Sequence, residues 1–105
     1  MIYNYKNYIP DHEITVFTAT IVYKYVMGDT PVYCDVALTD KKLIFAGEDI
    51  LDIIPLNKIY KIFYSFSYSK RIVTLHHGAN QICYIYELTK ETDVLVQEIA
   101  KRIGY

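Results

Sequence analysis

Two adjacent histidines, His76 and His77, are the side chains in this 105-residue chain that best suit a metal-binding hypothesis. On an extended segment they would point to opposite faces, so they could not hold one ion as an i, i+4 pair on a helix does. The glycine and asparagine that follow predict a turn over 76–80. In a turn the histidines could converge with acidic side chains of other turns, namely Asp29, Glu48 or Asp49. Because the usual ligand spacings are missing, we expect a solvated turn and no bound metal.

The two cysteines, Cys34 and Cys83, offer no dithiol or zinc chemistry, because neither has a neighbour at CxxC spacing. Both lie in apolar, strand-like runs, which predicts buried, inert thiols in a reducing compartment. The glycines are scattered rather than gathered in a phosphate-binding loop, and no nucleophile elbow occurs. The acidic pairs Glu48–Asp49 and Glu91–Asp93 suit a wet turn and a helix N-terminus. We therefore predict no catalytic residue, no cofactor and no enzymatic activity.

Composition restricts the class of partner. Hydrophobic residues make up 52% of the chain, enough for a packed core, and the formal net charge is −1. Such a chain lacks the cationic stripe that nucleic acids require, so no nucleic acid is expected as a partner. It has no apolar run of membrane-spanning length and no secretory signal, so a soluble, cytoplasmic protein is predicted. The 12 tyrosines indicate either tyrosine-lined sheet faces or an aromatic contact patch.

Alternating β-branched and aromatic residues dominate the chain between residues 14 and 88. Short polar segments, several with Gly or Pro, interrupt this pattern at regular intervals, as turns between strands do. Seven strands are predicted, over Ile14–Val26, Val32–Leu38, Leu43–Phe45, Ile50–Ile54, Ile59–Phe66, Arg71–Leu75 and Ile82–Leu88. Strands this short and evenly spaced are typical of a sandwich or a barrel. The first nine residues are compatible with both a helix and a strand.

The periodicity changes after residue 88, where a helix is predicted over 89–104. Its apolar stripe recurs every four residues and consists of Leu95, Ile99 and Ile103, with Val96 and Ala100 alongside. Either Thr89 or Thr92 can cap the start, and Gly104 is suited to the end. A single amphipathic helix must bury its stripe, so we expect it to pack against an open end or seam of the β structure.

The segment Leu38–Phe45, LTDKKLIF, joins two apolar runs across a polar break, which predicts a β-hairpin. It resembles the "LTnkRLif" hairpin common in GRAM and bacterial pleckstrin-homology-like (PH-like) domains, with Lys42 where Arg is more usual. Ile54–Ile59, IPLNKI, resembles the opening of a later strand in the same domains. Seven strands followed by one C-terminal helix is also the element order of the PH-like superfold. The chain therefore resembles a PH-like domain over roughly residues 13–103.

The length predicts one domain over 1–105. The resemblance begins at about residue 13 and so leaves 1–12 as an N-terminal extension. A seven-stranded antiparallel barrel or sandwich would occupy 13–88, built from two nearly orthogonal sheets, and the helix over 89–104 would cap one end. PH domains that bind phosphoinositides carry basic residues where three loops meet at one rim. Here those loops, 27–31, 47–49 and 76–80, contain acidic residues and no Lys or Arg. We therefore do not expect phosphoinositide binding.

The basic side chains lie in other parts of the chain. We hypothesise that they form a weakly basic face that touches an acidic partner or anionic lipid; the alternative is that they only keep the surface soluble. This candidate contact surface consists of Lys41, Lys42, Lys58, Lys61, Lys70 and Arg71. The predicted function is a non-catalytic PH-like binding module for protein–protein interaction or self-association. The alternative is a GRAM-like peripheral membrane domain that makes weak contact with anionic lipid.

Overall fold

The computed structural model describes residues 1–25, 31–67, 70–86 and 89–104, and it confirms the seven strands and the C-terminal helix. The strands are β1 (Thr15–Tyr25), β2 (Val32–Thr39), β3 (Lys42–Gly47), β4 (Ile50–Pro55), β5 (Ile59–Ser67), β6 (Lys70–His77) and β7 (Gln81–Tyr86). The helix α1 is Lys90–Ile103, and Tyr5–Tyr8 and Leu56–Lys58 form short 3₁₀ helices. Most of the predicted 27–31 loop, the middle of the 67–70 turn and the end of the last predicted strand lie outside the described residues.

All seven strands belong to one antiparallel sheet, in the order β4-β3-β2-β1-β7-β6-β5. The long strand β1 connects the two halves, because it pairs with β2 along most of its length and with β7 over Val22–Tyr25. The two sheets that the resemblance implies are therefore one continuous sheet. Within the described residues β4 and β5 do not pair with each other, so the sheet does not close into a barrel and both are edge strands.

The sheet encloses one hydrophobic core. Residues from every strand and from α1 form this cluster, including Tyr23, Val36, Phe45, Leu75 and Ile99. In β2 the predicted face is confirmed, since Cys34, Val36 and Leu38 belong to the core while their neighbours point outward. The alternation of side chains along a strand produces this division of faces.

The helix α1 packs as its apolar stripe predicts. Leu95, Val96 and Ile99 are completely buried in the core, and Ala100 and Ile103 pack beside them. The helix contacts β1, β5 and the 3₁₀ helix that follows β4. Its start is capped by Thr89, whose side chain accepts from the Thr92 backbone N–H, and Gly104 ends it with φ of 73°. A left-handed residue at this position is common at helix ends.

The N-terminal segment covers the outer face of β2 and β3. Tyr3, Tyr5, Tyr8 and Ile9 pack against a small second cluster formed by Ala37, Ile44 and Ala46. The backbone N–H of Tyr3 donates to the Gly47 carbonyl over 3.0 Å, which fixes this segment to the β3–β4 turn. Residues 43–46 are therefore buried on both faces of the sheet, as their uninterrupted apolar run indicates.

The β2–β3 turn forms largely as predicted. The Thr39 hydroxyl accepts from the backbone N–H groups of Lys41 and Lys42, at 3.1 and 3.0 Å. Asp40 bonds to a residue far from it in the sequence, since its carboxylate accepts a hydrogen bond from the Ile14 backbone N–H at 3.1 Å. These bonds close the hairpin and also fix the start of β1 beside it.

The prediction that His76 and His77 lie in a turn is wrong. Both belong to β6 and pair with Ile82 and Gln81 of β7. The turn is shorter because Gly78 and Asn80 adopt positive φ angles of 57° and 63°, which reverse the chain within three residues.

Candidate functional site

A pocket of about 940 Å³ opens beside the β4 edge of the sheet. The second half of β4, the 3₁₀ helix after it, the start of β5 and the β6–β7 hairpin line its sides, and Tyr23 of β1 also contributes. This volume lies within the range of small-molecule binding sites. We call it the Asp52 pocket, after the one carboxylate among its described lining residues.

Asp52 lies on the inward face of β4, between Ile50 and Ile54. The register places it opposite Phe45, whose ring stacks on that of Tyr23 with centroids 4.1 Å apart. The Tyr23 hydroxyl donates to Asp52 Oδ2 over 2.7 Å. A half-buried carboxylate is thus held at the margin of an otherwise apolar core by a short hydrogen bond.

Burial controls the protonation of this group of side chains. It raises the pKa of Tyr23, so the phenol keeps its proton and acts as the donor. Burial also raises the pKa of Asp52, against the opposing effects of the Tyr23 hydrogen bond and of nearby His77. The pKa of His77 is lowered by burial, an effect that Asp52 partly offsets. At neutral pH the imidazole is therefore mostly uncharged.

The side chains of the two histidines point to opposite faces of β6, as the alternation of side-chain direction along a strand requires. His77 lines the Asp52 pocket, whereas His76 lies near the Tyr60 ring, with centroids 6.1 Å apart. In the part of the chain that the structure describes, no group of three or more His, Cys, Asp or Glu side chains is arranged to hold a metal ion. Both cysteines are free and buried, and burial raises the pKa of Cys34 and of Cys83 to about 12.

A second surface runs along the edge strand β5. Four large aromatic side chains are exposed there: Tyr60, Phe63, Tyr64 and Phe66. Alternation places Phe63 on the outer face and directs Tyr64 and Phe66 towards the side that carries α1. We call this set the β5 aromatic edge. Val94, in the first half of α1, is also exposed.

An ion pair between strand and helix borders this edge. Arg71 Nη2 lies 2.9 Å from Asp93 Oδ2 and joins the start of β6 to the first turn of α1. The pKa of Tyr64 is raised by burial and by Asp93, while Arg71 opposes the shift. Arg71 and Asp93 therefore lie close enough to Tyr64 to influence its titration.

The six predicted basic residues have different surroundings. Lys42 Nζ is 3.3 Å from Glu13 Oε1 and mostly buried, and Arg71 pairs with Asp93. Lys61 Nζ sits 4.9 Å from the centroid of the Phe63 ring. Lys41 is exposed in the β2–β3 turn, and Lys58 lines the Asp52 pocket. Lys70 begins β6, and its side chain lies outside the described part of the chain.

Sequence reasoning overlooked Asp52. One signal was available, because Ile50, Asp52 and Ile54 alternate along a predicted strand and place a carboxylate on an apolar face. Its partner Tyr23 could not be inferred, since the two residues are 29 positions apart and meet only through β3.

Comparison with known proteins supports the fold. The crystal structure of human RhoA in complex with the DH/PH fragment of PDZRHOGEF contains a chain that matches with a TM-score of 0.72 and 15% identity. The match covers 95% of this chain and 31% of that one, so this chain spans about a third of its length. No family model matches the sequence, and no curated protein is similar to it. Together with the sheet and helix, this likeness shows a PH-like fold.

No helix within the described residues combines the length and the apolar character required to span a bilayer.

Proposed function

We propose that this protein is a small non-catalytic binding module that recognises protein, through an extended segment that pairs with the β5 aromatic edge. The bound segment comes from a different protein or from a second copy of this chain. The exposed aromatic row on β5, which pairs with β6 and with no other strand among the described residues, carries the proposal.

An edge strand supports this mode of binding because one row of its backbone N–H and C=O groups has no partner strand. An added strand would satisfy those groups, and side-chain contacts would supply specificity. Soluble proteins usually protect such edges with charges or proline. β5 carries one exposed charge, Lys61, but it also exposes four large aromatic side chains, a residue type enriched in the cores of protein interfaces.

The PH-like fold is also compatible with this role, since it is generally a binding module. The matching structure is that of a DH/PH fragment in complex with a protein, RhoA. The hairpin at Leu38–Phe45 further suggests a GRAM-like or bacterial PH-like member, and we include that assignment in the proposal.

Binding of anionic lipid through the basic residues has weaker support. Lys42 and Arg71 already form ion pairs, and the Lys61 ammonium lies over an aromatic ring. A headgroup would have to compete with these contacts.

Selection of peptides from a displayed library on the immobilised protein tests the proposal. The affinity of each selected peptide is then measured for wild type, Phe66→Ser and Tyr33→Ser. Phe66 and Tyr33 are similarly exposed, at 75% and 72%, but Tyr33 lies on the interior strand β2. We expect Phe66→Ser to weaken binding at least about tenfold, as loss of an aromatic anchor does, and Tyr33→Ser to have little effect.

Light scattering during gel filtration tests whether the bound segment comes from a second copy of this chain. In that case the wild type forms an oligomer, and Phe66→Ser, but not Tyr33→Ser, reduces the measured mass to that of a monomer. Peptides that lose affinity equally with both variants would contradict the assignment to β5. Sedimentation with anionic vesicles, combined with failure to select any peptide, would favour the lipid alternative.

A further inference from the structure

We propose that the Asp52 pocket binds an organic cation, with an ammonium or guanidinium group at Asp52 and an apolar body against the pocket walls. This site does not depend on the proposed function, because a free amine would bind without any partner protein.

The charge of Asp52 is the first argument. Tyr23 binds Oδ2, whereas Oδ1 has no hydrogen-bond donor within the described residues. Asp52 also forms no ion pair there, although Lys58 lines the same pocket. A partly buried carboxylate without a cation is costly, and an asparagine could accept the Tyr23 hydrogen bond equally well. The carboxylate at this position therefore offers Oδ1 to a cationic hydrogen-bond donor.

The walls of the pocket are the second argument. Ile54, Ile82 and Tyr60 are among the lining residues, and aliphatic and aromatic side chains suit the hydrocarbon part of an organic cation. Burial lowers the pKa of the nearby His77, which limits the positive charge that it offers Asp52 at neutral pH. The pocket is also lined by Asn57, Lys58, Asn80 and Gln81, so its one described carboxylate lies among polar as well as apolar side chains. A carboxylate beside apolar and aromatic surface complements a positive charge attached to hydrocarbon.

Two sources can supply this chemistry. One is a free small amine, and the other is a Lys or Arg side chain on a partner protein. Tyr60 lines the pocket and also belongs to the β5 aromatic edge, so a segment bound along β5 would pass close to the pocket mouth.

The test is an NMR titration of the wild-type protein with benzylamine, with benzyl alcohol as its neutral counterpart, and with a blocked Ala-Arg-Ala peptide. We expect a cationic probe to shift the backbone amide resonances of residues 52–54 and 77–82. Asp52→Asn should weaken cation binding about tenfold or more, as loss of a charged hydrogen-bond partner does. The melting temperature of this variant should be no lower than that of wild type, which separates loss of binding from loss of fold.

Asp35→Asn is the matched control. Asp35 accepts a hydrogen bond from the Thr20 hydroxyl at 2.9 Å but lies outside the pocket, so the variant removes the same charge without affecting the site. Tighter binding of the amine would indicate a small-molecule ligand, and tighter binding of the peptide a partner side chain. Equal binding of benzyl alcohol, an equal loss in both variants, or no binding of either cation would overturn the proposal.

Discussion

At the scale of single residues, polar side chains of this fold form hydrogen bonds over two different distances along the sequence. The hydroxyls of Thr39 and Thr92 bond to backbone groups within three residues of themselves, so they stabilise a turn and a helix cap. Asp52 depends instead on the Tyr23 hydroxyl from a distant strand. The first arrangement depends on local structure alone, whereas the second forms only when the sheet brings β1 and β4 together.

His77 makes the stability of the fold depend on pH. Its pKa is lowered on folding, chiefly by burial, so the unfolded chain binds a proton below about pH 6.5, where the folded chain resists it. Its contribution is therefore complete above that pH and is lost as the pH falls towards the folded-state pKa. Asp52 has the opposite effect on the pH dependence of stability. Its pKa is raised on folding, so protonation of its carboxylate at low pH favours the folded state.

We predict that His77→Gln loses less stability than wild type when the pH falls from about 8 to about 5.5, a range that spans the ordinary histidine pKa. Urea denaturation of both proteins at the two pH values gives the free energies of unfolding. At the higher pH imidazoles are neutral, so the difference in free energy of unfolding between the two proteins there measures the effect of the substitution apart from protonation. That difference is subtracted from the difference measured at the lower pH. An equal loss of stability in the two proteins would show that burial of His77 does not resist protonation.

At the scale of elements, docking of α1 depends on one face of the helix. Leu95 is completely buried in the core, while its neighbour Val94 is 44% exposed. We predict that Leu95→Ala lowers the free energy of unfolding by about 2–5 kcal/mol, because it leaves a cavity between helix and sheet. Val94→Ala should change it by no more than about 0.5 kcal/mol. Similar losses for both variants in urea denaturation would mean that this stripe does not hold the helix in place.

The elements that the sequence predicts well are those defined by local interactions. The stripe and both caps of α1 lie within sixteen residues, and the β2–β3 hairpin is closed by a side chain of the turn itself. The position of the N-terminal tyrosines is different, because the surface that they cover lies on β2 and β3, about thirty or more residues away. The Asp52 pocket likewise combines parts of β1, β4, β5, β6 and β7, and only the register of the whole sheet brings these together.

At the scale of the whole molecule, one core joins both halves of the sheet. Cys34 on β2 and Cys83 on β7 lie on opposite sides of β1 and belong to the same buried cluster. Burial raises the pKa of each thiol to about 12, so neither can react as a thiolate in the folded protein near neutral pH. If unfolding is cooperative, both thiols become reactive in the same event.

We therefore predict that single-cysteine variants, Cys34→Ala and Cys83→Ala, react with iodoacetamide only through global unfolding. The free energy of opening calculated from each labelling rate should agree within about 1 kcal/mol with that from urea denaturation of the same variant. Labelling in concentrated urea provides the reference rate for the fully exposed thiol. If one half of the sheet opened without the other, the thiol in that half would react faster than global unfolding of its variant allows. A labelling rate more than about tenfold above the rate calculated from the urea-derived stability would contradict a single cooperative core.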